Sequence, residues 1–173
     1  MENIKTINYN LGSATQAISN IFQDLDIEVF NDIFSEYLTD YTVVDGEFPE
    51  KIANGVYGDT KYTYVLFYVN NISSMANDWP LDSLSFKTYI KKKYGSVEYA
   101  KSNVKSYFDL DYEEITEYDA QNLPDISYYT VTYWDYEEEL NNLKAQIKII
   151  DPLKIEVLMS QIRNYKRTGK YEL

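Results

Sequence analysis

The sequence predicts an α+β chain that is mostly helical, with a small antiparallel sheet and a C-terminal helix. Three observations carry that prediction. Apolar residues recur at helical spacing in several segments, Val29, Phe30, Ile33, Phe34 and Tyr37 forming one such stripe of the kind that marks a helix face. Two short runs, Tyr128 to Trp134 and Ile147 to Ile150, are dominated by aromatic and β-branched residues, which suit a pleated, half-buried surface. Helical and extended segments do not alternate in the rhythm of a parallel sheet with crossover helices.

Taken in order, residues 1–26 read as a polar entry segment with one helical piece, capped by Ser13 and carrying Ala17, Ile18, Ile21 and Phe22. A second helix is expected over Asp26 to Leu38, so residues 1–40 form a helical extension. Tyr41 to Val44 reads as a strand and Asp45-Gly46 as a turn. Pro49 suits the first turn of a helix whose apolar face is Ile52, Ala53, Val56 and Tyr57. Gly58 should stop it by adopting positive φ, and Asp59 or Thr60 should cap the next helix. That helix, with Tyr64, Val65, Leu66, Tyr68 and Val69, is apolar nearly all round and ends at Asn70-Asn71. Two helices this short cannot bury their faces alone, so they must pack on each other and on a small sheet.

Trp79-Pro80 opens a new segment. Asp82 or Ser83 should cap a helix bearing Phe86, Tyr89, Ile90 and Tyr94, with Lys91, Lys92 and Lys93 in its last turn, where positive charge complements the helix dipole. Gly95 ends it. A short helix is expected from Ser96 to about Tyr107, then an acidic loop with short extended pieces over 109–125, closed by Pro124. After the strand at Tyr128 to Trp134 comes a polar helix from Glu137 to Gln146, with Leu140 and Leu143 on its apolar side. Ile147 to Ile150 is a strand. Pro152 starts a last helix with the face Ile155, Leu158, Met159 and Ile162, leaving residues 164–173 as a mobile tail.

Composition narrows the function. The 173 residues carry a net charge of −12, which opposes binding to nucleic-acid phosphates or anionic membranes. His and Cys are both absent. That removes the commonest general base and metal ligand, thiolate metal sites and disulfides. No apolar run approaches the ~18 residues of a membrane span. Met1 to Asn10 lacks the basic and apolar regions of a signal peptide, so cytoplasmic synthesis without export is expected. Asp109, Asp111 and Glu113 suggest a calcium loop, but Glu114 and Ala120 stand where an EF-hand needs Gly and Glu. No phosphate-binding glycine loop is present. Nineteen Tyr suit surfaces that become buried on assembly; AT-rich coding would favour the same residue.

The stretch Pro49-Glu-Lys-Ile-Ala-Asn-Gly-Val-Tyr-Gly-Asp-Thr60, followed by Tyr64-Val-Leu-Phe-Tyr-Val-Asn-Asn71, resembles a LysM-type module. The blocks Lys93-Tyr-Gly95, Val131-Thr-Tyr-Trp-Asp-Tyr-Glu-Glu-Glu-Leu-Asn141 and Leu143-Lys-Ala-Gln-Ile-Lys-Ile-Ile-Asp-Pro152 extend the likeness. Together they resemble the small baseplate wedge proteins of T4-like contractile phages over roughly residues 28–163, with 99–126 departing from the pattern. The resemblance implies a central LysM-like βααβ-type module over 41–98, and an acidic loop, strand and helical region over 99–173. It implies a structural role in the virion tail baseplate, assembled in the host cytoplasm. Its expected partners are other wedge proteins, including large wedge scaffold subunits and the sheath-initiating subunit, with no nucleic acid and no membrane. It implies no catalytic residue, no cofactor and no metal. The expected partner contacts are Tyr68, Trp134, Tyr136, Lys91, Lys92 and Lys93. The LysM-like turn Gly58, Asp59 and Thr60 marks the alternative, binding of peptidoglycan or chitin.

Overall fold

The structure, a computed structural model, describes residues 6–11, 14–19, 35–124 and 127–168. It is mixed α+β with small antiparallel sheets and a C-terminal helix, as the sequence predicts. The first elements are β1 (Thr6–Leu11), β2 (Ala14–Ser19), β3 (Leu38–Thr42), α1 (Pro49–Tyr57), α2 (Thr63–Val69), α3 (Met75–Asp78) and α4 (Ser83–Tyr94). There follow α5 (Val97–Ser102), β4 (Val104–Asp109), β5 (Glu114–Ile115), α6 (Glu117–Gln121), β6 (Tyr128–Thr132), α7 (Tyr133–Ala145), β7 (Gln146–Ile150) and α8 (Ile155–Thr168). Two compact units interleave along the chain, one within residues 1–41, 48–75 and 147–173, the other within 42–47 and 76–146.

In the first unit, β1 and β2 form an antiparallel hairpin, with Thr6 opposite Ser19 and Leu11 opposite Ala14. This corrects the helix expected there, because Ala17 and Ile18 lie in a strand. Thr6, Ile7, Tyr9, Thr15 and Ile18 are strand formers, and the intervening Gly12-Ser13 is a two-residue hairpin signal. Ser13 and residues 20–34, with most of the helix expected over Asp26 to Leu38, lie outside the described residues. That helix does not reach Leu38. A 3₁₀ turn occupies Ser35–Tyr37 and β3 begins at Leu38, earlier than the expected Tyr41.

The first unit then runs strand, helix, helix and strand, but its last strand comes from far along the chain. The strand beside β3 is β7. Asp151 N donates to Tyr37 O at 2.7 Å and Lys148 pairs with Asp40, so partner numbers fall as they rise and the pairing is antiparallel. A side chain joins this ladder. Asn70, at the end of α2, donates from Nδ2 to Lys148 O at 2.8 Å and accepts from Lys148 N at 2.6 Å. Its carboxamide thus copies a backbone rung and anchors α2 to β7. Ile52, Ala53, Val65, Leu66, Ile147, Ile150, Leu158 and Ile162 are buried in this unit, the larger of them contributing roughly 1.5–3 kcal/mol each. The face expected on α8 is the buried one, and α8 continues to Thr168. Residues 164–168 of the expected tail are therefore helical, and 169–173 lie outside the described residues.

In the second unit, Asp82 caps α4 by accepting from Leu84 N and Ser85 N, and Gly95 closes it at φ 89°. Phe86 and Ile90 pack with Ala100 of α5, and Tyr133 and Trp134 of α7 pack against them. Several expectations are corrected here. The helix capped by Ser96 ends at Ser102, and Val104 opens a strand, because Val104, Tyr107 and Phe108 pair with β6 in the sheet β5-β4-β6. The strand at Tyr128 stops at Thr132, because Thr132 and Asp135 form a reciprocal capping box that starts α7. Tyr133 and Trp134 are therefore helical. The acidic stretch is a turn followed by β5 and α6. On α7 it is Glu137 that is buried, while Leu140 and Leu143 are exposed.

Candidate functional site

In the first unit, the turn after α1 uses its polar groups internally. Gly58 sits at φ 76° and donates its N–H to Asn54 O at 2.9 Å. Asp59 Oδ1 accepts from Lys61 N at 2.8 Å, and Lys61 Nζ lies 3.2 Å from Oδ2. That backbone bond, with the lysine side chain added, holds the Asp59 carboxyl below its ordinary range. Thr60 O accepts from Thr63 Oγ1 at 2.7 Å. Three tyrosines then tie the helices to the C-terminal elements. Tyr57 OH accepts from Ile150 N, Tyr62 OH donates to Glu156, and Tyr64 OH contacts Met159 Sδ at 3.6 Å. Burial pushes the Tyr57 and Tyr64 phenols up to about 12.

The six expected contact residues do not fall in one unit. Tyr68 is a half-buried residue of α2 in the first, and the others lie in the second. Trp134 meets Phe86 edge-on, with ring centroids 5.0 Å apart, and Lys101 Nζ lies 4.3 Å from its ring. Tyr136 is 37% exposed, with Lys105 Nζ 3.8 Å from its ring. Lys91 and Lys92 are exposed. Lys93 instead turns to Glu137.

Glu137 is the centre of a buried polar cluster in the second unit. It is 4% exposed and accepts from Lys93 Nζ at 2.7 Å, Tyr94 OH at 2.6 Å and Tyr89 OH at 2.8 Å. Burial alone would raise its pKa; the three donors, Lys93 foremost, outweigh burial and hold it below the ordinary value. The bond to Glu137 raises Lys93. Burial, with the bond to Glu137, pushes Tyr94 up to about 12. A carboxylate saturated by three donors is locked as an anion and fastens α4 to α7. In the sequence it is one of three consecutive glutamates, and nothing local distinguishes it.

The aromatic surface of the three-stranded sheet joins Tyr129, in the strand the sequence predicts, to Tyr112 of the expected acidic loop and Phe108 just before it. Phe108 of β4 and Tyr129 of β6 stand opposite each other and stack, with centroids 5.4 Å apart. Tyr112, from the turn between β4 and β5, meets Tyr129 edge-on at 5.8 Å and is 79% exposed. Its φ is 66°, unusual for a bulky side chain. Asp109 holds this conformation. Its Oδ1 accepts from Asp111 N and Glu113 N, both at 2.9 Å, and its N–H donates to Glu113 O at 3.0 Å. Partial burial, then Tyr112 and Asp109, raise the Tyr129 phenol. The legible signal was Asp109 two and four residues before the N–H groups it receives, an arrangement typical of side-chain-built turns.

No family model matches the chain, and no curated protein matches its sequence. Among the described residues no helix is long and apolar enough to cross a membrane.

Proposed function

We propose that the chain is a structural subunit of a contractile phage tail baseplate, joining neighbouring wedge subunits through protein–protein contacts and catalysing no reaction. The motif order that resembles small baseplate wedge proteins supports this reading. The observation that carries it is the aromatic surface formed by Phe108, Tyr112 and Tyr129. Its rings contact one another at the surface, and its exposed turn holds Tyr112 in a strained left-handed backbone. Strain maintained at an exposed aromatic is a mark of function, and rigid tyrosines are efficient contact residues because little entropy is lost on binding. Partners in this reading are the other wedge proteins, including the large scaffold subunits and the sheath-initiating subunit.

Quantitative mass spectrometry of purified tail particles tests it. A low, fixed copy number, stoichiometric with the other baseplate proteins, is the expected result. Finding the chain only free in the lysate would overturn it. The strand–helix–helix–strand unit favours a second reading, LysM-type binding of peptidoglycan or chitin. Amide shifts at Gly58, Asp59 and Thr60 on titration with chitin oligomers would favour that reading; the internal bonding of Asp59 and Thr60 argues for none.

A further inference from the structure

The chemistry of the partner can be read from what surrounds the aromatic surface, on the premise above that this surface is a contact site. Between Lys105 and Lys144 the chain has eleven acidic residues and no lysine or arginine. Asp111 and Glu113 flank Tyr112 in the turn and Glu114 stands opposite Phe108 across the β4–β5 pair; all three are exposed, and among the described residues none of the three carboxylates is ion-paired. Elsewhere the molecule supplies its own cations to aromatic rings, lysines lying over Tyr37, Tyr62, Tyr89, Tyr94, Trp134 and Tyr136. Among the described residues no lysine or arginine lies over Phe108, Tyr112 or Tyr129.

We propose that the Phe108–Tyr129–Tyr112 surface docks an arginine-bearing segment of a partner protein, with guanidinium groups on the tyrosine rings and forked onto the neighbouring carboxylates. An entirely apolar partner would strip water from three carboxylates without compensation. Phosphate-bearing partners meet the same charges as repulsion. Arginine satisfies both features at once, because its planar cation stacks on aromatic faces and bonds carboxylates in pairs, whereas lysine offers a strongly hydrated point charge.

The test uses the full chain, a hexa-arginine peptide and a hexalysine peptide at about physiological ionic strength, read by amide NMR and calorimetry. Shifts should concentrate at residues 107–114 and 128–131, with hexa-arginine the tighter ligand. Tyr112→Ala, which leaves net charge unchanged, should weaken hexa-arginine binding roughly threefold to fivefold, the range of an exposed cation–π contact. Tyr118→Ala is the control: Tyr118 is 75% exposed between Glu117 and Asp119, and among the described residues its ring stacks on no other. Its removal should leave affinity unchanged, and thermal melts of both variants should match the parent. Equal affinity for parent and Tyr112→Ala, equal loss in both variants, or shifts spread over every acidic surface would overturn the proposal. Particle composition separates the two readings. Presence in tails without a Tyr112 effect sinks only the arginine docking, and a Tyr112 effect in a chain absent from tails sinks only the baseplate assignment.

Discussion

Single side chains carry unequal weight in this molecule. Glu137 holds three donors at once, so Glu137→Ala should cost about 3 kcal/mol, the scale of a buried charge network broken from its centre. Lys93→Ala should cost about 1 kcal/mol, because the lysine is half in solvent and both tyrosines remain as donors. Urea unfolding measures both, and equal losses would contradict the asymmetry. The same cluster sets a pH window. A carboxyl held below its ordinary value stabilises the fold above pH ~4.5, and that stability is lost as pH falls through the depressed folded value. At the alkaline end, the phenols of Tyr57, Tyr64 and Tyr94 ionise near 12 in the fold against 10.0 when free. The unfolded chain therefore loses those protons first, and stability should decline from pH ~10 towards 12. The raised Lys93 adds to the decline, since its contribution is complete below its unfolded value of 10.5 and lost as pH rises through the folded one. Unfolding curves across pH check this, and a flat alkaline limb would contradict it. At Tyr112 the prediction runs the other way. Tyr112→Gly removes the ring but relieves a left-handed backbone worth roughly 1–2 kcal/mol, so stability should hold or rise. A loss beyond about 1 kcal/mol would make the ring structural. The roles of Glu137 and the buried phenols were not legible in sequence, because they depend on which strands and helices meet, whereas the turn under Tyr112 is local and left the Asp109 spacing as its signal.

Elements whose ends are set by their own residues were read well. Pro49 and Gly58 frame α1, Asp82 and Gly95 frame α4, and Asn70 ends α2. These are local effects of capping and of left-handed glycine. Elements set by a distant partner were read poorly. The segment Val104–Asp109 has a weak apolar stripe that passes for helix until β6 lies beside it. At Tyr133 the opposite happened, since β-prone aromatics hid a helix start that the Thr132–Asp135 box decides. Asn70 shows how far one side chain can act at this scale. Asn70→Ala removes both bonds to the Lys148 backbone and one to Leu66 O, and should cost about 2 kcal/mol. Hydrogen exchange of the Lys148 amide should quicken with it. Unchanged protection there would mean the β3–β7 ladder needs no help from α2.

At the level of the whole molecule, composition foretold an acidic chain without His or Cys, and the aromatic surface lies in the stretch that has no basic residue. What composition did not foretell is the interleaving. The first unit is closed by β7 and α8, and Asp40 and Lys148, which pair across it, stand 108 positions apart. The long separation has a consequence for biosynthesis. While the ribosome is still making residues 76–146, Asn70, Tyr57 and Tyr62 have been translated, but the Lys148, Ile150 and Glu156 groups they bond do not yet exist. Residues 48–75 must wait outside the exit tunnel, with Tyr57, Tyr62 and Asn70 lacking these partners, until β7 and α8 emerge. A chain cut short before β7 cannot close this unit, so its folding waits on a segment translated more than 70 residues after α2.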